Sequence, residues 1–340
     1  MTSKNFTLYF LFSALGLMAV LLGFNLIIDP YGVTNTNLLK IKYKLTRDGR
    51  AQKINRIKEI KHIDNLILGS SRSERLNPAT VSNILGGYSY SFGIGGANIE
   101  DELGLLLYLE KENKLPKNII LFLDFSAFNV NFATPTGFFN TPELNFIKKN
   151  KMTNNYMAKI FSVKAVKASV KTFKAHLKNK VPKTYIDDNG FLQSQIATPS
   201  GQMERIKKVA DEYNHFSYQE GNIQFSEQRF EYLKRFVTIC ERHKINLHIL
   251  LTPVHSYLYE IIEKNVKLER KLQEFKNTLS KITPYCDAMI KSAYIMDDYN
   301  FEDAVHYNTE MGDLLLLGLL ENQPSNICTK RYGAIKKETK

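Results

Sequence analysis

The sequence predicts an α/β protein in which an open, largely parallel sheet is covered by helices on both faces and follows an N-terminal apolar helix. Three observations predict this class. From residue 64 onward, short apolar runs alternate with helical segments. The run "NIILFLDF" (118–125) is apolar almost throughout, which is typical of a parallel strand buried on both faces. A long uncharged stretch precedes the first strand.

The uncharged stretch covers residues 5–28, and its length is sufficient to cross a bilayer, which takes about 20 residues. It runs unbroken into Asp29 and Pro30, whereas a cleaved signal peptide has a shorter apolar core followed by small residues. The stretch is apolar on every face, which disfavours a buried core helix. We therefore expect residues 1–30 to form an uncleaved transmembrane signal anchor.

Helix caps and apolar runs define the elements that follow. Asn77 precedes Pro78 in the manner of an N-cap followed by a first-turn proline, and Asn98 is the expected cap of a later helix. The first half is predicted to contain a basic linker over 31–62 with a helix at 51–62, strands at 65–70, 88–92 and 118–125, and helices at 78–85 and 99–112. The second half is predicted to contain helices at 226–243, 256–283 and 309–321, and strands at 245–251 and 287–296. The α/β domain is thus expected over 63–325, with a basic tail over 326–340.

A lysine-rich helical insertion interrupts the alternation over about 130–225. Between Glu143 and Asp187 there are eleven lysines and no acidic residue. Five of these lysines recur at three- and four-residue steps and share one helix face: Lys164, Lys167, Lys171, Lys174 and Lys178. This face is either a solvated surface or a contact with an anionic membrane surface or polyanionic polymer. Nucleic acid is not an expected partner, because no aromatic stacking motif accompanies the lysines.

Composition bounds the remaining possibilities. The chain has 340 residues and a formal net charge of +12, which favours anionic partners. Its three cysteines are too few and too scattered for a disulfide framework, so the fold is expected to rest on its hydrophobic core. No cysteine pair has metal-ligand spacing, and no dinucleotide or Walker motif occurs, so we expect neither a metal nor a cofactor.

Two sequence features are candidates for nucleophilic chemistry. Ser71 follows the first strand in "NLILGSSRSE", where the start of a helix can stabilise an oxyanion. Asp303 and His306 stand three residues apart before the last helix, so the carboxylate can orient the imidazole that takes the serine proton. Taken alone, each is also typical of an ordinary surface turn. In a parallel sheet, however, both sites lie at the carboxyl edge, where α/β active sites are found.

Several stretches resemble sequence blocks of the SGNH (GDSL-like) serine esterases and acyltransferases. "LILGSSRS" is similar to the first block and "DAVHY" to the last, which implies Ser71 as nucleophile with His306 and Asp303. "YSFGIGGAN" looks like the second block, which implies Gly96 as an oxyanion donor. The third block differs, because "LDFSAFN" replaces the family's Gly-x-Asn-Asp; Ser126 or Asn129 would have to substitute. The resemblance implies a three-layer, flavodoxin-like sheet.

The layout "DPYG", "GSSR", "LDFSAF" and "TPVH" also resembles the membrane-anchored branch of that superfamily, whose members act in alginate O-acetylation and teichoic acid D-alanylation. This implies a bacterial cytoplasmic membrane protein with its body outside the cytoplasm. Its implied partners are an acylated glycan or surface polymer and a membrane-bound acyltransferase. The positive-inside rule points the other way, since only Lys4 precedes the span and several basic residues follow it.

Two further residues are candidates for substrate binding. Arg72, beside the nucleophile, either binds a substrate carboxylate or phosphate or anchors the turn through Asp124 or Glu74. His255 ends the strand "INLHILLTP" and is a candidate for lining the site. The resemblance thus implies an esterase or O-acyltransferase. The alternatives are a non-catalytic glycan-binding or assembly protein, and a phosphate or lipid binder centred on Arg72.

Overall fold

The computed structural model describes residues 3–36, 38–44, 49–135, 138, 141–144, 161–194, 201–321 and 327–331. The predicted α/β class is confirmed: a six-stranded, mostly parallel sheet is surrounded by helices, and one apolar helix precedes it. The strands are β1 (Asn65–Leu68), β2 (Ser89–Ser91), β3 (Asn118–Leu123), β4 (Thr184–Ile186), β5 (Leu192–Ser194), β6 (Asn246–Leu251), β7 (Tyr285–Asp287) and β8 (Thr329–Arg331). The α-helices are α1 (Ser3–Ile28), α2 (Gly49–Glu59), α3 (Pro78–Leu85), α4 (Ile99–Lys111), α5 (Val163–Leu177), α6 (Gln202–Glu212), α7 (Glu227–Arg242), α8 (Ser256–Lys264), α9 (Val266–Ile282), α10 (Ala293–Met296) and α11 (Thr309–Leu320).

The central sheet has the strand order β2-β1-β3-β6-β7-β8, and β4 and β5 form a separate hairpin. The first five strands of the sheet are parallel, and β8 pairs antiparallel with β7. If the five parallel strands are numbered in chain order, their order in the sheet is 2-1-3-4-5, which is a common order in doubly wound sheets. The carboxyl ends of β1, β3 and β6 therefore meet at one edge.

Two apolar cores lie on opposite faces of the sheet, because successive side chains of a strand alternate between its faces. Leu66, Leu121 and Leu251 belong to the larger core. Their neighbours Ile67 and Phe122 belong to the smaller one. The larger core includes side chains of α4, α7 and α9, and the smaller one includes side chains of α3 and α11. The molecule is thus built in three layers, helices on either side of a sheet.

Capping residues fix the starts of the helices that flank the site. Asn77 accepts from the backbone N–H of Ala79 at the start of α3. Asn98 and Asp101 form a capping box at the start of α4. The helix expected over 256–283 is in fact two, because Asn265 ends α8 and caps α9. The strand expected over 287–296 is wrong: β7 ends at Asp287, and the chain then forms the short helix α10.

The edges of the sheet are covered by segments that the sequence pattern did not reveal. The β4–β5 hairpin lies beside β2, since Ser91 donates its backbone N–H to Asn189 at 2.8 Å. At the other edge β8 lies within the region expected to be a basic tail. Cys286 and Cys328 form a disulfide across β7 and the approach to β8, with 5.6 Å between their Cα atoms. One covalent link therefore supplements a fold that was expected to rest on its core alone.

Helix α1 is long and apolar enough to cross a membrane, and its residues 4–21 are exposed. Its end is tied directly to the body. Asp29 accepts hydrogen bonds from the backbone N–H groups of Val33 at 2.7 Å and Asn35 at 3.0 Å. From α2, the Asn55 side-chain amide donates to the Gly32 carbonyl at 2.9 Å. The turn after α1 is thus held by its own residues and by α2.

Candidate active site

Ser71 lies in a tight turn just beyond the carboxyl end of β1. The turn requires glycine at position 69, where φ is +136° and a Cβ would lie 2.6 Å from the Phe122 carbonyl oxygen. After the turn, Ser73 donates its backbone N–H to the Ser70 carbonyl at 3.0 Å and its hydroxyl to the Leu68 carbonyl at 3.2 Å. These bonds hold Ser71 at the corner, where it is partly exposed.

The structure brings Ser71, His306 and Asp303 into one chain of contacts. Ser71 Oγ lies 2.8 Å from His306 Nε2, although 235 positions separate the two residues. His306 Nδ1 lies 2.8 Å from Asp303 Oδ2. Because a carboxylate only accepts hydrogen bonds, the proton of the neutral imidazole is on Nδ1. Nε2 is then the acceptor for the serine hydroxyl, which is the arrangement that nucleophilic catalysis requires.

Asp303 is held as a carboxylate by its own turn. Its Oδ1 accepts the backbone N–H groups of Val305 and His306, each at 2.9 Å. Burial opposes the negative charge, but the contact with His306 and the two N–H groups outweigh it, and the pKa of Asp303 lies below its ordinary value. The His306 side chain keeps 28% of its surface exposed, so a substrate can reach it.

A glycine loop, residues 93–98, begins beside the turn that carries Ser71. Phe92 donates its backbone N–H to Ile67 at 2.8 Å, and Ile94 donates to Gly69 at 3.0 Å, so the chain beyond β2 continues alongside the chain beyond β1. Gly93 is close to the turn that carries Ser71: a Cβ there would lie 2.6 Å from the Ser73 carbonyl carbon. Gly96 follows in the turn that begins at Ile94, where Ala97 donates its backbone N–H to the Ile94 carbonyl at 2.9 Å, and it adopts φ +70°.

The turn at Ser71 and the glycine loop each contain one backbone donor that is not used within the fold. Among the residues that the structure describes, the backbone N–H groups of Ser71 and Gly96 have no hydrogen-bond acceptor. Unpaired backbone N–H groups next to a nucleophile are the usual donors of an oxyanion hole. The arrangement is therefore compatible with the oxyanion role predicted for Gly96.

The segment after β3 is less suited to such a role. Ser126 is buried in a short 3₁₀ turn. The Asn129 side-chain amide donates to the Ser217 carbonyl at 2.9 Å, and its oxygen accepts from the Asn131 N–H at 3.1 Å. Asn129 thus holds the chain together at this point. Neither observation assigns a catalytic function to Ser126, whose predicted role stays a prediction.

Arg72 has the contacts of an anchor. Its guanidinium is buried, lies 3.2 Å from Asp124 and donates to Thr252. Thr252 in turn donates its hydroxyl to Asp124 at 2.7 Å, and the Ser70 hydroxyl also donates to Asp124. The cluster links the carboxyl ends of β1, β3 and β6 directly beneath Ser71. Of the two predicted roles of Arg72, these contacts match anchoring of the turn.

His255 also has structural contacts. Its Nδ1 accepts from the Tyr257 N–H at 3.1 Å, which caps α8, and its Nε2 lies 2.9 Å from Asp298 Oδ1. The ring is buried and packs edge-on against Phe301. Both ring nitrogens are engaged, so His255 offers none to a substrate in this structure. Its backbone N–H donates to Ala304 at 2.9 Å, which holds the loop that carries Asp303 and His306.

Lys53 and Glu74 are site neighbours that the sequence reasoning missed. Lys53 Nζ is buried and donates to the Gly93 carbonyl at 2.5 Å. Burial lowers the pKa of Lys53 to about 8, partly offset by the charges of Glu74 and Asp187. Burial likewise raises the pKa of Glu74. The burial of Lys53 could not be predicted, because lysines on an amphipathic helix normally lie on its exposed face.

Two cavities are lined by residues that the structure describes. One, of about 10 Å³, lies behind the turn that carries Ser71, between Ser70, Asp124 and Glu102, and has room for roughly one water molecule. A larger depression of about 450 Å³ lies between α7 and the C-terminal end of α9. The chain enters β6 and β7 after these helices, so the depression lies near the amino ends of the strands, away from Ser71. In the described residues no group of three or more His, Cys, Asp or Glu side chains is suited to hold a metal ion.

Comparisons with known proteins do not extend this description. No protein-family model matches the sequence, and no curated protein matches it. The interpretation of the site therefore depends on its geometry.

Proposed function

We propose that this protein is a serine-dependent acyl-ester hydrolase or O-acyltransferase of SGNH type that acts on a cell-surface polysaccharide or similar polymer. The observation that carries the proposal is the contact chain from Ser71 through His306 to Asp303. It joins the end of β1 to the loop before α11, at the sheet edge where α/β active sites lie. Its order of hydroxyl, imidazole and carboxylate is that of a catalytic triad.

The proposed reaction uses this order in two halves. Ser71 Oγ attacks the ester carbonyl carbon while His306 Nε2 takes the hydroxyl proton, and the N–H groups of Ser71 and Gly96 hold the developing oxyanion. Collapse breaks the ester bond, His306 returns the proton to the leaving alkoxide, and the acyl group stays on Ser71. In the second half, water in a hydrolase or a sugar hydroxyl in a transferase attacks the acyl carbon while His306 takes its proton. The bond between the acyl group and Ser71 Oγ then breaks, and His306 returns the proton to Ser71 Oγ. Asp303 stabilises the imidazolium in both halves.

The proposed location is the outer face of a bacterial cytoplasmic membrane. The length and apolarity of α1 support an anchor. The disulfide between Cys286 and Cys328 supports an oxidising compartment for the body, because cytosolic thiols are kept reduced. The partial exposure of Ser71 and His306 suits a polymer substrate, which needs an open site.

The alternative is a non-catalytic SGNH-like protein that binds glycan or assists assembly. One observation favours it: Asn129, one of the two candidates for a side-chain donor after β3, is engaged elsewhere. Loss of one oxyanion donor typically lowers kcat about 10²–10³-fold, even when the other donors remain.

A covalent probe separates the two functions. Full-length protein in detergent is treated with a fluorophosphonate, which reacts with activated serines in hydrolases and transferases alike. We expect one adduct, mapped by mass spectrometry to Ser71, and none in Ser71→Ala. Ser280→Ala serves as the matched control, since Ser280 donates only to the Asn277 carbonyl on the surface of α9. An unlabelled wild-type protein would support the non-catalytic alternative.

A second assay distinguishes hydrolase from transferase. The protein is given an activated acetyl ester with and without an oligosaccharide. A hydrolase releases acetate at the same rate in both cases. A transferase forms acetylated oligosaccharide, and its ester turnover rises with the acceptor. Ester turnover that is unchanged by Ser71→Ala would exclude Ser71 as the nucleophile.

A further inference from the structure

Helix α5 of the lysine-rich insertion packs against the end of α1. Ser169 donates its hydroxyl to the Asn25 side-chain oxygen at 2.7 Å. Phe173 packs edge-on against Phe24, with 5.9 Å between ring centroids. The buried face of α5 consists of small residues, which permit close helix packing: Ala165, Ala168, Ser169 and Thr172. The position of α5 is thus fixed relative to the anchor helix.

The exposed part of α1 is long enough to define where a membrane surface would lie. Residues 4–21 are exposed and correspond to about 27 Å of helix at about 1.5 Å per residue, close to the roughly 30 Å of a hydrocarbon core. The following turns of α1 contact protein. With residues 4–21 in a bilayer, α5 lies at the level where α1 leaves the lipid.

Helix α5 presents two further stripes beside its buried face. The 3.6-residue repeat groups one set of apolar residues and one set of lysines on neighbouring faces. The apolar stripe comprises Val163, Val166, Val170, Phe173 and Leu177. The lysine stripe comprises Lys164, Lys167, Lys171, Lys174 and Lys178. Val163 and Leu177 keep 74% and 66% of their surface exposed, and Phe173 turns the apolar stripe toward α1.

The charges of the lysine stripe are not neutralised within the described part of the chain, where none of the five lysines contacts a carboxylate. A helix that is merely solvated mixes charges of both signs and exposes few large apolar side chains. An apolar stripe bordered by lysines, at the level of a membrane surface, is the pattern of a helix that lies in the lipid interface.

We propose that α5 is an interfacial helix whose apolar stripe enters the outer part of the bilayer and whose lysine stripe binds anionic phospholipid headgroups. The proposal depends on α1 lying in a bilayer and is independent of the chemistry at Ser71. It assigns to the insertion the role of a second membrane contact beside the anchor.

Introduced tryptophans test the proposal directly, because the chain has none of its own. Full-length protein with Val163→Trp or Leu177→Trp is reconstituted into vesicles of equimolar phosphatidylcholine and phosphatidylglycerol. In one set the phosphatidylcholine acyl chains carry bromine, and in the other the phosphatidylglycerol chains do. Val266→Trp is the matched control: Val266 is 69% exposed at the start of α9, a helix that packs on the larger core and does not belong to the insertion.

We expect blue-shifted emission and bromine quenching for the two α5 variants, and neither for the control. Quenching should be stronger when bromine is on phosphatidylglycerol, and replacing the five lysines by glutamine should remove that preference. The proposal would be overturned if the tryptophans at both α5 positions are not quenched. It would also be overturned if soluble polyphosphate, without vesicles, produces the same blue shift in their emission. Equal quenching by the two brominated lipids would overturn the role of the lysines. The thermal midpoint of each variant checks that it is folded.

Discussion

At the scale of single residues, Lys53 places an ammonium group beneath the glycine loop. Its pKa of about 8 is below the ordinary value of 10.5, because the buried charge is poorly solvated. Between these two pH values the unfolded chain binds more protons than the folded chain, so the stability due to Lys53 increases as pH rises. Below pH 8 both states are protonated and the cost of the buried charge is constant.

Lys53→Met should therefore change the pH dependence of stability. We expect the unfolding free energy of the wild type, relative to the variant, to increase by about 3 kcal/mol between pH 8 and 10.5, at about 1.36 kcal/mol per pH unit. Thermal unfolding in detergent across this range measures it, and the buried tyrosines, common to both chains, cancel from the difference. Lys267→Met, on the exposed surface of α9, should show no such trend. A difference that is constant with pH would contradict the buried ammonium.

The residues of the candidate site were predictable to different degrees. Ser71, Asp303 and His306 could be grouped from sequence because strand ends of a parallel sheet share one edge. The anchoring contacts of Arg72 could not, since they depend on three strands placing Asp124 and Thr252 together. The polar Thr252 after β6 was the available signal. A strand-end histidine likewise gives no sign that it will cap the next helix, as His255 does.

At the scale of elements, Arg229 ties α7 to α4 and to the segment after β3. Its Nε lies 3.2 Å from both oxygens of Glu100. Its Nη1 donates to the carbonyls of Ala127 at 2.8 Å and Asn129 at 2.6 Å, and its Nη2 to that of Phe132. The guanidinium therefore satisfies a buried carboxylate and the carbonyls of a loop at once.

Arg229→Ala should be strongly destabilising, by about 3–5 kcal/mol, because it breaks a buried ion pair with Glu100. Chemical denaturation of the full-length protein in detergent measures the loss. Arg235→Ala on the exposed face of the same helix is the control and should change stability by less than about 0.5 kcal/mol. Similar losses in both variants would show that the arginine network contributes little.

Elements with local signals were predicted best. The starts of α3 and α4 follow from Asn77 and Asn98, whose side chains cap them. The strands β4, β5 and β8 have three residues each, too few to show a periodicity, and their pairing depends on distant partners. The break between α8 and α9 was missed because apolar spacing continues across Asn265, although asparagine is a common cap.

At the scale of the whole molecule, the disulfide closes a 42-residue separation and fixes β8 to the sheet. The chain-entropy model gives about 4 kcal/mol for a loop of this length. We expect dithiothreitol to lower the thermal midpoint of the wild type. The thermal midpoint of Cys328→Ser, which cannot form the disulfide, should not change on adding dithiothreitol. In intact cells both cysteines should react with maleimide only after reduction. Labelling of both without reductant would contradict the disulfide and remove one support for an exported body.

The turn at Asp29 has a consequence for the distance between Ser71 and a membrane that holds α1. A domain on a long flexible tether would sweep out a hemisphere above the membrane. Here α1 passes into a turn held by Asp29 and α2, so the body cannot swing freely about the anchor. With α1 in a bilayer, Ser71 travels at a constant height above the lipid. For the polymer substrate that we propose, the search would then be two-dimensional, and only polymer units that pass at that height would come within reach.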